Sequence, residues 1–325
     1  AATPAAPNGK DSPMKFTKVV VAGGGVLGSQ IAFQCAYSGC DVTIWLRSEG
    51  SIERCQPKLD HLREVYLATL EAMKTNPAAY AYGLLPREDV TPEACEAAKA
   101  RVEAAYEGIR LTTSYEEAFS DADLVIECIA ENPQQKIEFY TAVAPIMPER
   151  TIVVTNSSTL LPSAFAEHTG RPDKYLALHF ANEIWKNPTA EVMPHPGTDM
   201  AHFDEVVEFA AGIRMVPLKV MKEQPGYLLN SMLVPFLTAA QALWAGEVGS
   251  VEDIDLAWKL GTGAPAGPFQ ILDIVGLTTA YNITLLDPAA ADPTTIKGRI
   301  AALLKEKIDR GETGRAAGKG FYDYR

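Results

Sequence analysis

The sequence predicts an α/β protein in which a doubly wound parallel sheet is followed by an all-helical C-terminal domain. Through the first two thirds of the chain, short apolar segments alternate with segments of helical spacing. A glycine-rich turn joins the first apolar segment to the first helix. After Gln224-Pro225-Gly226 the pattern becomes almost wholly helical, which indicates that a second domain begins near that point.

The first predicted elements are a strand at 18–22, a helix at 26–38 and a strand at 42–46. Apolar residues three and four positions apart, namely Leu27, Ile31, Ala32 and Cys35, indicate the helix. The further predicted strands are IRLTT, DADLVIECIA, TIVVTN, YLALHF, AEVMPH and RMVPLKV. Strands that alternate with helices in this way are typical of a parallel sheet with crossover helices.

The glycine-rich turn matches the pattern G-x-G-x-x-G at Gly23, Gly25 and Gly28, directly after a strand and at the start of a helix. In that context the pattern is typical of the Rossmann dinucleotide-binding fold. The three glycines allow a tight turn, a close approach to a diphosphate and close packing of helix on strand. Val26 and Leu27 begin the helix, whose N-terminus favours phosphate. We therefore predict a bound dinucleotide; the alternative is a purely structural turn.

The second predicted strand indicates which dinucleotide is bound. An NAD-binding fold usually places an acidic residue at the end of this strand, where it accepts the ribose hydroxyls. Leu46 occupies that position here, and Arg47 and Ser48 follow it. A guanidinium and a hydroxyl suit a 2'-phosphate, so the sequence favours NADP, with NAD possible. In the alternative interpretation Arg47 is a solvated loop charge and Glu49 reaches the ribose.

The chain divides into predicted regions around these elements. Residues 1–13 are expected to form a flexible tail, and residues 14–222 form the dinucleotide-binding domain. Residues 51–107 are interrupted by PAAYAYGLLP and are predicted to form two helices that project from the sheet as an arm facing the substrate. Residues 223–325 are the predicted helical domain for substrate binding and dimerisation.

Composition narrows the classes of partner. The chain is 47% hydrophobic and 22% charged, which is typical of a soluble globular protein, and no apolar run is long enough for a membrane helix. Its net charge of -12 disfavours nucleic acid and anionic lipid. The five cysteines lack the paired spacing of a zinc site, and their odd number disfavours a complete disulfide framework. We expect a small-molecule substrate, no metal, no nucleic-acid or membrane partner, and a cytoplasmic location.

Several motifs occur in order along the chain after residue 17. They are Glu131-Asn132 with Lys136, Thr155-Asn156-Ser157-Ser158-Thr159, His179-Phe180-Ala181-Asn182, Glu191, Pro225-Gly226-Tyr227-Leu228-Leu229-Asn230, Gly267-Pro268-Phe269 with Asp273, and Gly318-Lys319-Gly320-Phe321-Tyr322. In these motifs the chain resembles the short-chain 3-hydroxyacyl-CoA dehydrogenases. The resemblance implies a homodimeric oxidoreductase with its active site between the domains. It would move a hydride between a nicotinamide cofactor and a 3-hydroxyacyl-CoA or 3-oxoacyl-CoA such as acetoacetyl-CoA.

His179 is the predicted catalytic residue. It lies near the end of a predicted strand, at the sheet edge where ligands of α/β folds bind. Alcohol oxidation needs a base and the reverse reaction an acid, and imidazole can serve as either near neutral pH. Glu191, on the next predicted strand, can hold the other ring nitrogen and stabilise the imidazolium, and the resemblance implies the same roles. The alternative is a packed strand histidine.

The resemblance assigns roles to five further residues. Ser158 and Asn230 would hydrogen-bond the reacting oxygen, whereas Glu131, Lys136 and Asn156 would contact the cofactor. Other interpretations stay open, because Ser158 can form a turn bond to the backbone, Asn230 can cap a helix, and Lys136 can be a surface charge.

The chain also departs from the family pattern. In family members the catalytic histidine is commonly followed by F-F-N-P, whereas His179 is followed here by F-A-N-E-I-W-K-N-P. Ala181, Glu183 and Trp185 are therefore predicted to reshape the pocket beside the acyl group. The arm is less basic than a CoA-binding surface should be, with Arg54, Lys58, Arg63 and Lys74 remaining available. One alternative is therefore a related dehydrogenase of a non-CoA substrate of the carnitine, gulonate or diketo-ester type. The other is a non-catalytic, crystallin-like dinucleotide-binding protein.

Overall fold

The computed structural model of the protein describes residues 14–325, so the predicted tail at 1–13 lies outside the described residues. The chain forms two compact units, the first ending at Leu228 and the second comprising Leu229–Arg325. Within residues 14–325, no helix combines the length and the apolar character that crossing a membrane requires.

The first unit contains an eight-stranded sheet with the strand order β3-β2-β1-β4-β5-β6-β7-β8. The strands are β1 (Lys18–Ala22), β2 (Asp41–Trp45), β3 (Arg110–Thr112), β4 (Leu124–Glu127), β5 (Ile152–Thr155), β6 (Tyr175–Phe180), β7 (Thr189–Pro194) and β8 (Val216–Lys219). Strands β1 to β6 are parallel, in the order of the doubly wound dinucleotide-binding fold. The predicted fold class is confirmed.

One pairing departs from the parallel arrangement. Strand β7 is antiparallel to β6, and β8 is then parallel to β7. Only residues 181–188 connect β6 to β7, and a parallel crossover needs a dozen or more residues. The short connection therefore forces the chain to reverse at this place.

Among residues 14–325, six α-helices lie in the first unit with the sheet and five form the second unit. They are α1 (Val26–Tyr37), α2 (Glu49–Met73), α3 (Pro92–Gly108), α4 (Tyr115–Phe119), α5 (Pro133–Val143), α6 (Met200–Gly212), α7 (Leu229–Ala245), α8 (Val251–Thr262), α9 (Pro268–Val275), α10 (Leu277–Leu285) and α11 (Ile296–Asp309). Side-chain caps fix several of their starts; Thr91 and Asn132, each followed by proline, accept backbone N–H groups at the starts of α3 and α5.

The alternating side chains of the strands supply two separate cores. Val19 and Val21 of β1 pack on the face covered by α1, α2, α3 and α6, whereas Val20 and Ala22 pack on the face covered by α4 and α5. Both faces are apolar because helices cover both, as expected for a doubly wound sheet.

The two helices predicted between residues 51 and 107 are present as α2 and α3, but they do not project from the sheet. Buried residues along α2, from Cys55 to Met73, belong to the same core as α1. The Tyr66 hydroxyl donates to Gln34 Oε1 of α1 at 2.6 Å. The expectation of a projecting arm was wrong, because the apolar stripes of both helices are buried against α1.

The second unit is all-helical, as predicted, and has its own core around Leu237, Phe269 and Leu304. Buried Asp273 accepts hydrogen bonds from the backbone N–H groups of Phe321 and Tyr322. This carboxylate therefore fixes the C-terminal segment to the helices of the unit.

Candidate active site

The glycine-rich turn lies between β1 and α1. Gly23 has φ +113°, and an added Cβ there would lie 2.6 Å from the Cys128 carbonyl oxygen. A Cβ on Gly28 would lie 2.1 Å from the Gly23 carbonyl oxygen. Gly24, which the sequence pattern leaves unassigned, is also required, since its Cβ would lie 2.5 Å from Cys55 Sγ. The protein's own packing therefore accounts for three of the glycines.

Gly25 differs from these glycines because a Cβ built on it meets nothing within 4 Å. It is the N-cap of α1 and forms no side-chain cap, so the N–H groups at Val26 and Leu27 begin the helix without one. Open space in front of a helix N-terminus suits a diphosphate, which would approach the backbone at Gly25. The turn therefore fits a dinucleotide.

A cleft of about 640 Å³ opens from this turn. It is lined by Gly23, Gly24, Gly25, Trp45, Leu46, Arg47, Ser51, Arg54, Lys58, Tyr115, Cys128, Ile129, Ala130, Gln135, Glu138 and Phe139. We call it the cofactor cleft. Three cations, Arg47, Arg54 and Lys58, share its wall, and none of them forms an ion pair among residues 14–325.

From the sequence, Arg47 was the only one of these three cations predicted to bind the cofactor. Arg54 and Lys58 lie four positions apart on α2, which begins directly after Arg47 and Ser48. That spacing on a helix next to the second strand is the signal that would have found them. Ser48 is the N-cap of α2, and its hydroxyl lies 3.0 Å from the Ser51 hydroxyl.

The end of β2 carries no carboxylate. Leu46 is buried, whereas Arg47 is exposed. Glu49, the alternative ribose ligand, accepts a hydrogen bond from the Thr113 hydroxyl at 3.3 Å and does not line the cofactor cleft. The cofactor cleft thus presents cations where an NAD site usually presents an acid.

His179 and Glu191 face each other across the β6–β7 pair. They are direct partners in the antiparallel register, so their side chains lie on the same face of the sheet. His179 Nδ1 lies 3.0 Å from Glu191 Oε2, and only 12% and 5% of the two side chains are exposed. A carboxylate at this distance can keep Nδ1 protonated and leave Nε2 for chemistry.

Ser158 lies on the other side of the imidazole. Its hydroxyl is 3.1 Å from His179 Nε2, and the residue is exposed. The turn bond that the sequence allowed for Ser158 is formed instead by Ser157, whose hydroxyl accepts the N–H of Leu160 at 3.0 Å. Ser158, His179 and Glu191 therefore form one row of hydrogen bonds at the carboxyl edge of the sheet.

Glu131 and Asn156 organise the backbone beside this row. Glu131 accepts hydrogen bonds from the hydroxyls of Ser157 at 2.6 Å and Thr159 at 3.1 Å. Asn156 Oδ1 accepts the N–H of Phe180 at 3.0 Å and so links the ends of β5 and β6. Neither residue lines the cofactor cleft.

Lys136 is not a surface charge, and that interpretation was wrong. It is 1% exposed and donates to both oxygens of Glu127, which is fully buried at the end of β4. Glu127 also accepts from the hydroxyls of Tyr140 and Thr155. Burial and the neighbouring Glu127 carboxylate raise the pKa of Tyr140 well above its usual value, so Tyr140 stays a donor. We did not predict a role for Glu127 from the sequence, although a carboxylate at the end of a strand was a signal.

Trp185, one of the three residues predicted to reshape the pocket, differs from expectation. Trp185 is buried and packs edge-on against Tyr66, with ring centroids 5.4 Å apart, so its side chain belongs to the core rather than to an acyl pocket.

In the second unit, Asn230 is the second residue of α7. It therefore lies in the first turn of this helix.

Comparisons with known proteins match both parts of the chain. Residues 18–224 match the NAD-binding domain of 3-hydroxyacyl-CoA dehydrogenase and residues 226–324 its C-terminal domain. The 3-hydroxybutyryl-CoA dehydrogenase of Clostridioides difficile is 30% identical over 94% of this chain and 99% of the relative. The mitochondrial hydroxyacyl-coenzyme A dehydrogenase of Homo sapiens is 30% identical over 94% of this chain and 91% of the relative.

A solved structure is more similar in sequence than these two relatives. It is a diketoreductase described as catalysing reactions of dicarbonyl compounds, and it is 43% identical to this chain. The similarity covers 95% of this chain and 99% of that one, with a TM-score of 0.82. Similarity to known proteins thus extends over the sheet, the hydrogen-bonded row and the helical unit.

Proposed function

We propose that this protein interconverts 3-hydroxy and 3-oxo compounds. It belongs to the 3-hydroxyacyl-CoA dehydrogenase family and is an oxidoreductase with a nicotinamide-binding domain. The observation that carries the proposal is the row Ser158–His179–Glu191 at the carboxyl edge of a dinucleotide-binding sheet. A base oriented by a buried carboxylate suits reversible proton transfer to an oxygen.

A bound nicotinamide cofactor supplies the hydride in reduction and takes it in oxidation. His179 Nε2 gives its proton to the 3-oxygen in reduction and takes it back in oxidation. Glu191 stabilises the imidazolium and holds the ring orientation. The Ser158 hydroxyl, 3.1 Å from Nε2, can donate a hydrogen bond to the same oxygen as negative charge develops on it. Asn230 is proposed as a second donor on the strength of the family resemblance.

For the cofactor, the proposal is NADP. Its support is the absence of a carboxylate at Leu46 together with three cations, Arg47, Arg54 and Lys58, in the wall of the cofactor cleft. A 2'-phosphate would receive charge-assisted hydrogen bonds from these groups, whereas the ribose hydroxyls of NAD would lack their usual acceptor. Glu127, paired with Lys136, holds the turn after β4 through the N–H of Ile129 and so shapes the opposite wall.

Steady-state kinetics with NADPH and NADH test this choice. We expect kcat/KM to favour NADPH in the wild type. Arg47→Ala should lower that preference at least about tenfold, since a charge-assisted hydrogen bond contributes roughly 1.5–3 kcal/mol. Arg87→Ala, at an exposed arginine outside the cofactor cleft, is the control. A wild-type preference for NADH contradicts the proposal.

The first candidate substrate is a short 3-oxoacyl-CoA such as acetoacetyl-CoA. The names of the relatives support it, since they are 3-hydroxybutyryl-CoA and hydroxyacyl-coenzyme A dehydrogenases aligned over nearly the whole chain. Acetoacetyl-CoA carries its 3-oxo group beside a thioester carbonyl, so it is itself a 1,3-dicarbonyl compound. The same proton transfer by His179 therefore serves a thioester or an ester.

The second candidate is a 1,3-dicarbonyl compound without CoA, and two observations favour it. The diketoreductase shares 43% identity with this chain, against 30% for the CoA dehydrogenases quoted above. The second observation is that the four basic residues available in the sequence to bind CoA phosphates either form ion pairs or line the cofactor cleft. Arg63 and Lys74 are paired with carboxylates, while Arg54 and Lys58 line the cofactor cleft.

A parallel assay separates the two candidates. NADPH consumption at 340 nm would be followed with acetoacetyl-CoA, ethyl acetoacetate and free acetoacetate at matched concentrations. A kcat/KM for the thioester that exceeds the ester value by more than about a hundredfold supports CoA recognition. Values within about tenfold support the dicarbonyl substrate without CoA. Turnover of none of the three contradicts the proposed function.

A further inference from the structure

Tyr227 contacts the catalytic row on one face of the imidazole. Its ring stacks on His179 with ring centroids 4.5 Å apart and an interplanar angle of 13°. Tyr227 is only 2% exposed. A stacked ring at this distance restricts the rotation of the imidazole about its side-chain bonds and keeps water off that face.

Tyr227 and Leu228 also form hydrogen bonds with Glu191 and with Ser157, the residue directly before Ser158. The Tyr227 hydroxyl donates to the carbonyl oxygen of Ser157 at 2.6 Å, directly before Ser158. The N–H of Leu228 donates to Glu191 Oε1 at 2.9 Å, while the other carboxylate oxygen, Oε2, binds His179. Burial and the Glu191 carboxylate raise the pKa of Tyr227, so its hydroxyl remains a donor. We call residues 226–228 the clamp.

The backbone of the clamp has an unusual conformation. Gly226 has φ +82° and Tyr227 has φ +52°, and the left-handed region is unfavourable for a residue with a Cβ. The Tyr227 side chain is buried in an apolar cluster with Ala177, Met193 and Val220. Backbone strain that persists because the surroundings fix it is characteristic of functional sites.

We propose that Tyr227 is a positioning residue for His179, and that the clamp sets the orientation of the whole Ser158–His179–Glu191 row. The inference deepens the proposed function and rests on it, because the row is the proposed catalytic machinery. Three separate contacts, from one ring, one hydroxyl and one backbone N–H, fix the imidazole, the carbonyl of Ser157 directly before Ser158, and the Glu191 carboxylate. The clamp thereby aims Nε2 at the position of the 3-oxygen.

Variants of Tyr227 test the proposal by kinetics. Tyr227→Phe keeps the ring and removes the bond to Ser157, so we expect kcat to fall about two- to tenfold. Tyr227→Leu removes the stacked ring, and kcat should fall about ten- to a hundredfold while KM and cofactor affinity change less than about threefold. Tyr227→Met fills much of the same volume and serves if the Leu variant does not fold.

Val220→Ala is the matched control. It removes apolar volume from the same cluster but none of the three contacts of the clamp, which Tyr227 and Leu228 make. A loss of packing alone would lower thermal stability in this variant as in Tyr227→Leu. We expect Val220→Ala to keep wild-type kcat. An equal loss of kcat in Val220→Ala and Tyr227→Leu would overturn the positioning role.

A second readout does not depend on turnover. The His179 Nδ1 proton shared with Glu191 should give a downfield imidazole resonance in proton NMR of histidine-labelled protein, assigned by its absence in His179→Gln. We expect this resonance in the wild type, Tyr227→Phe and Val220→Ala, and its loss in Tyr227→Leu and Tyr227→Met. Its persistence in both of those variants would overturn the inference. If the wild type reduces no 3-oxo substrate, the proposed function fails, yet this readout still decides whether Tyr227 orients His179.

Discussion

At the scale of single residues, the geometry of His179 depends on one cross-strand register. His179 and Glu191 are twelve positions apart, and they meet because β6 and β7 pair antiparallel with these two residues opposite each other. A slip of one residue would move one side chain to the other face of the sheet. The spacing was visible in the sequence, whereas the direction of β7 could be inferred only from the short connection that precedes it.

The role of Glu191 leads to a first prediction. In Glu191→Gln the amide can no longer compel Nδ1 to carry the proton, so a fraction of His179 would hold the wrong tautomer. We expect kcat to fall about 10²- to 10⁴-fold, by analogy with hydrolytic triads, while cofactor affinity stays unchanged. Steady-state kinetics and a fluorescence titration of the cofactor would measure the two effects.

The control for this prediction is Glu208→Gln, at an exposed carboxylate of α6. It should keep wild-type kcat. Comparable activity in Glu191→Gln and the wild type would show that Glu191 does not orient His179.

Lys136 carries a second prediction, about stability. Lys136→Met leaves Glu127 as an uncompensated charge in the core, so we expect the free energy of unfolding to fall by about 3–5 kcal/mol. Urea unfolding followed by circular dichroism would measure the loss. The double variant Glu127→Gln with Lys136→Met should recover much of it, because no buried charge remains. A single variant as stable as the wild type would contradict the ion pair.

The burial of Lys136 could not be predicted from its own surroundings in the sequence. Lysine is almost always exposed, and its partner Glu127 lies nine residues away across a turn. Tyr227 was missed for a similar reason. Its ring meets His179 only because residues distant in the chain come together after folding.

At the scale of elements, the order of strands and helices was predictable because their apolar periodicity is local. The prediction of a projecting arm was wrong because periodicity shows that a helix has an apolar face, but does not show which element covers that face. The antiparallel β7 was missed because its sequence is as apolar as its neighbours' and only the short 181–188 connection fixes its direction.

The β1–α1 turn allows a matched pair of glycine variants as a third prediction. Gly25→Ala adds a methyl group to open space, so we expect unchanged thermal stability and a cofactor Kd raised at least about tenfold through a clash with the diphosphate. Gly28→Ala forces a methyl group against the Gly23 carbonyl, and should cost about 1–3 kcal/mol or more of folding stability. Thermal unfolding and cofactor titration of both variants would measure this.

The two outcomes are separable. If Gly25→Ala lowers stability as much as Gly28→Ala, the open space at Gly25 serves packing rather than a ligand. If Gly25→Ala binds the cofactor like the wild type, the diphosphate does not approach the turn there.

At the scale of the whole molecule, we propose that the protein is a homodimer, as the family resemblance implies. The second unit exposes large apolar side chains, including Leu260 at 76% and Leu286 at 81%. Large apolar side chains that are this exposed support an interface on the second unit. Light scattering after size exclusion should give twice the monomer mass.

Substitutions within the second unit test this fourth prediction. Leu260→Glu should shift the population towards monomer at micromolar concentration, because a charge would be buried in the interface. Met221→Glu, at an exposed apolar residue of the first unit, is the control and should leave the mass unchanged. A wild type of monomer mass would contradict the proposal.

In the proposed reaction, His179 transfers the proton to and from the 3-oxygen of a 1,3-dicarbonyl substrate. The most direct measurement is NADPH consumption at 340 nm by the wild type and His179→Gln, with acetoacetyl-CoA and ethyl acetoacetate, beside a cofactor titration of both proteins. We predict substrate-dependent consumption by the wild type and a loss of about 10²- to 10⁴-fold in His179→Gln with cofactor affinity retained. Undiminished turnover in His179→Gln would show that His179 does not transfer this proton.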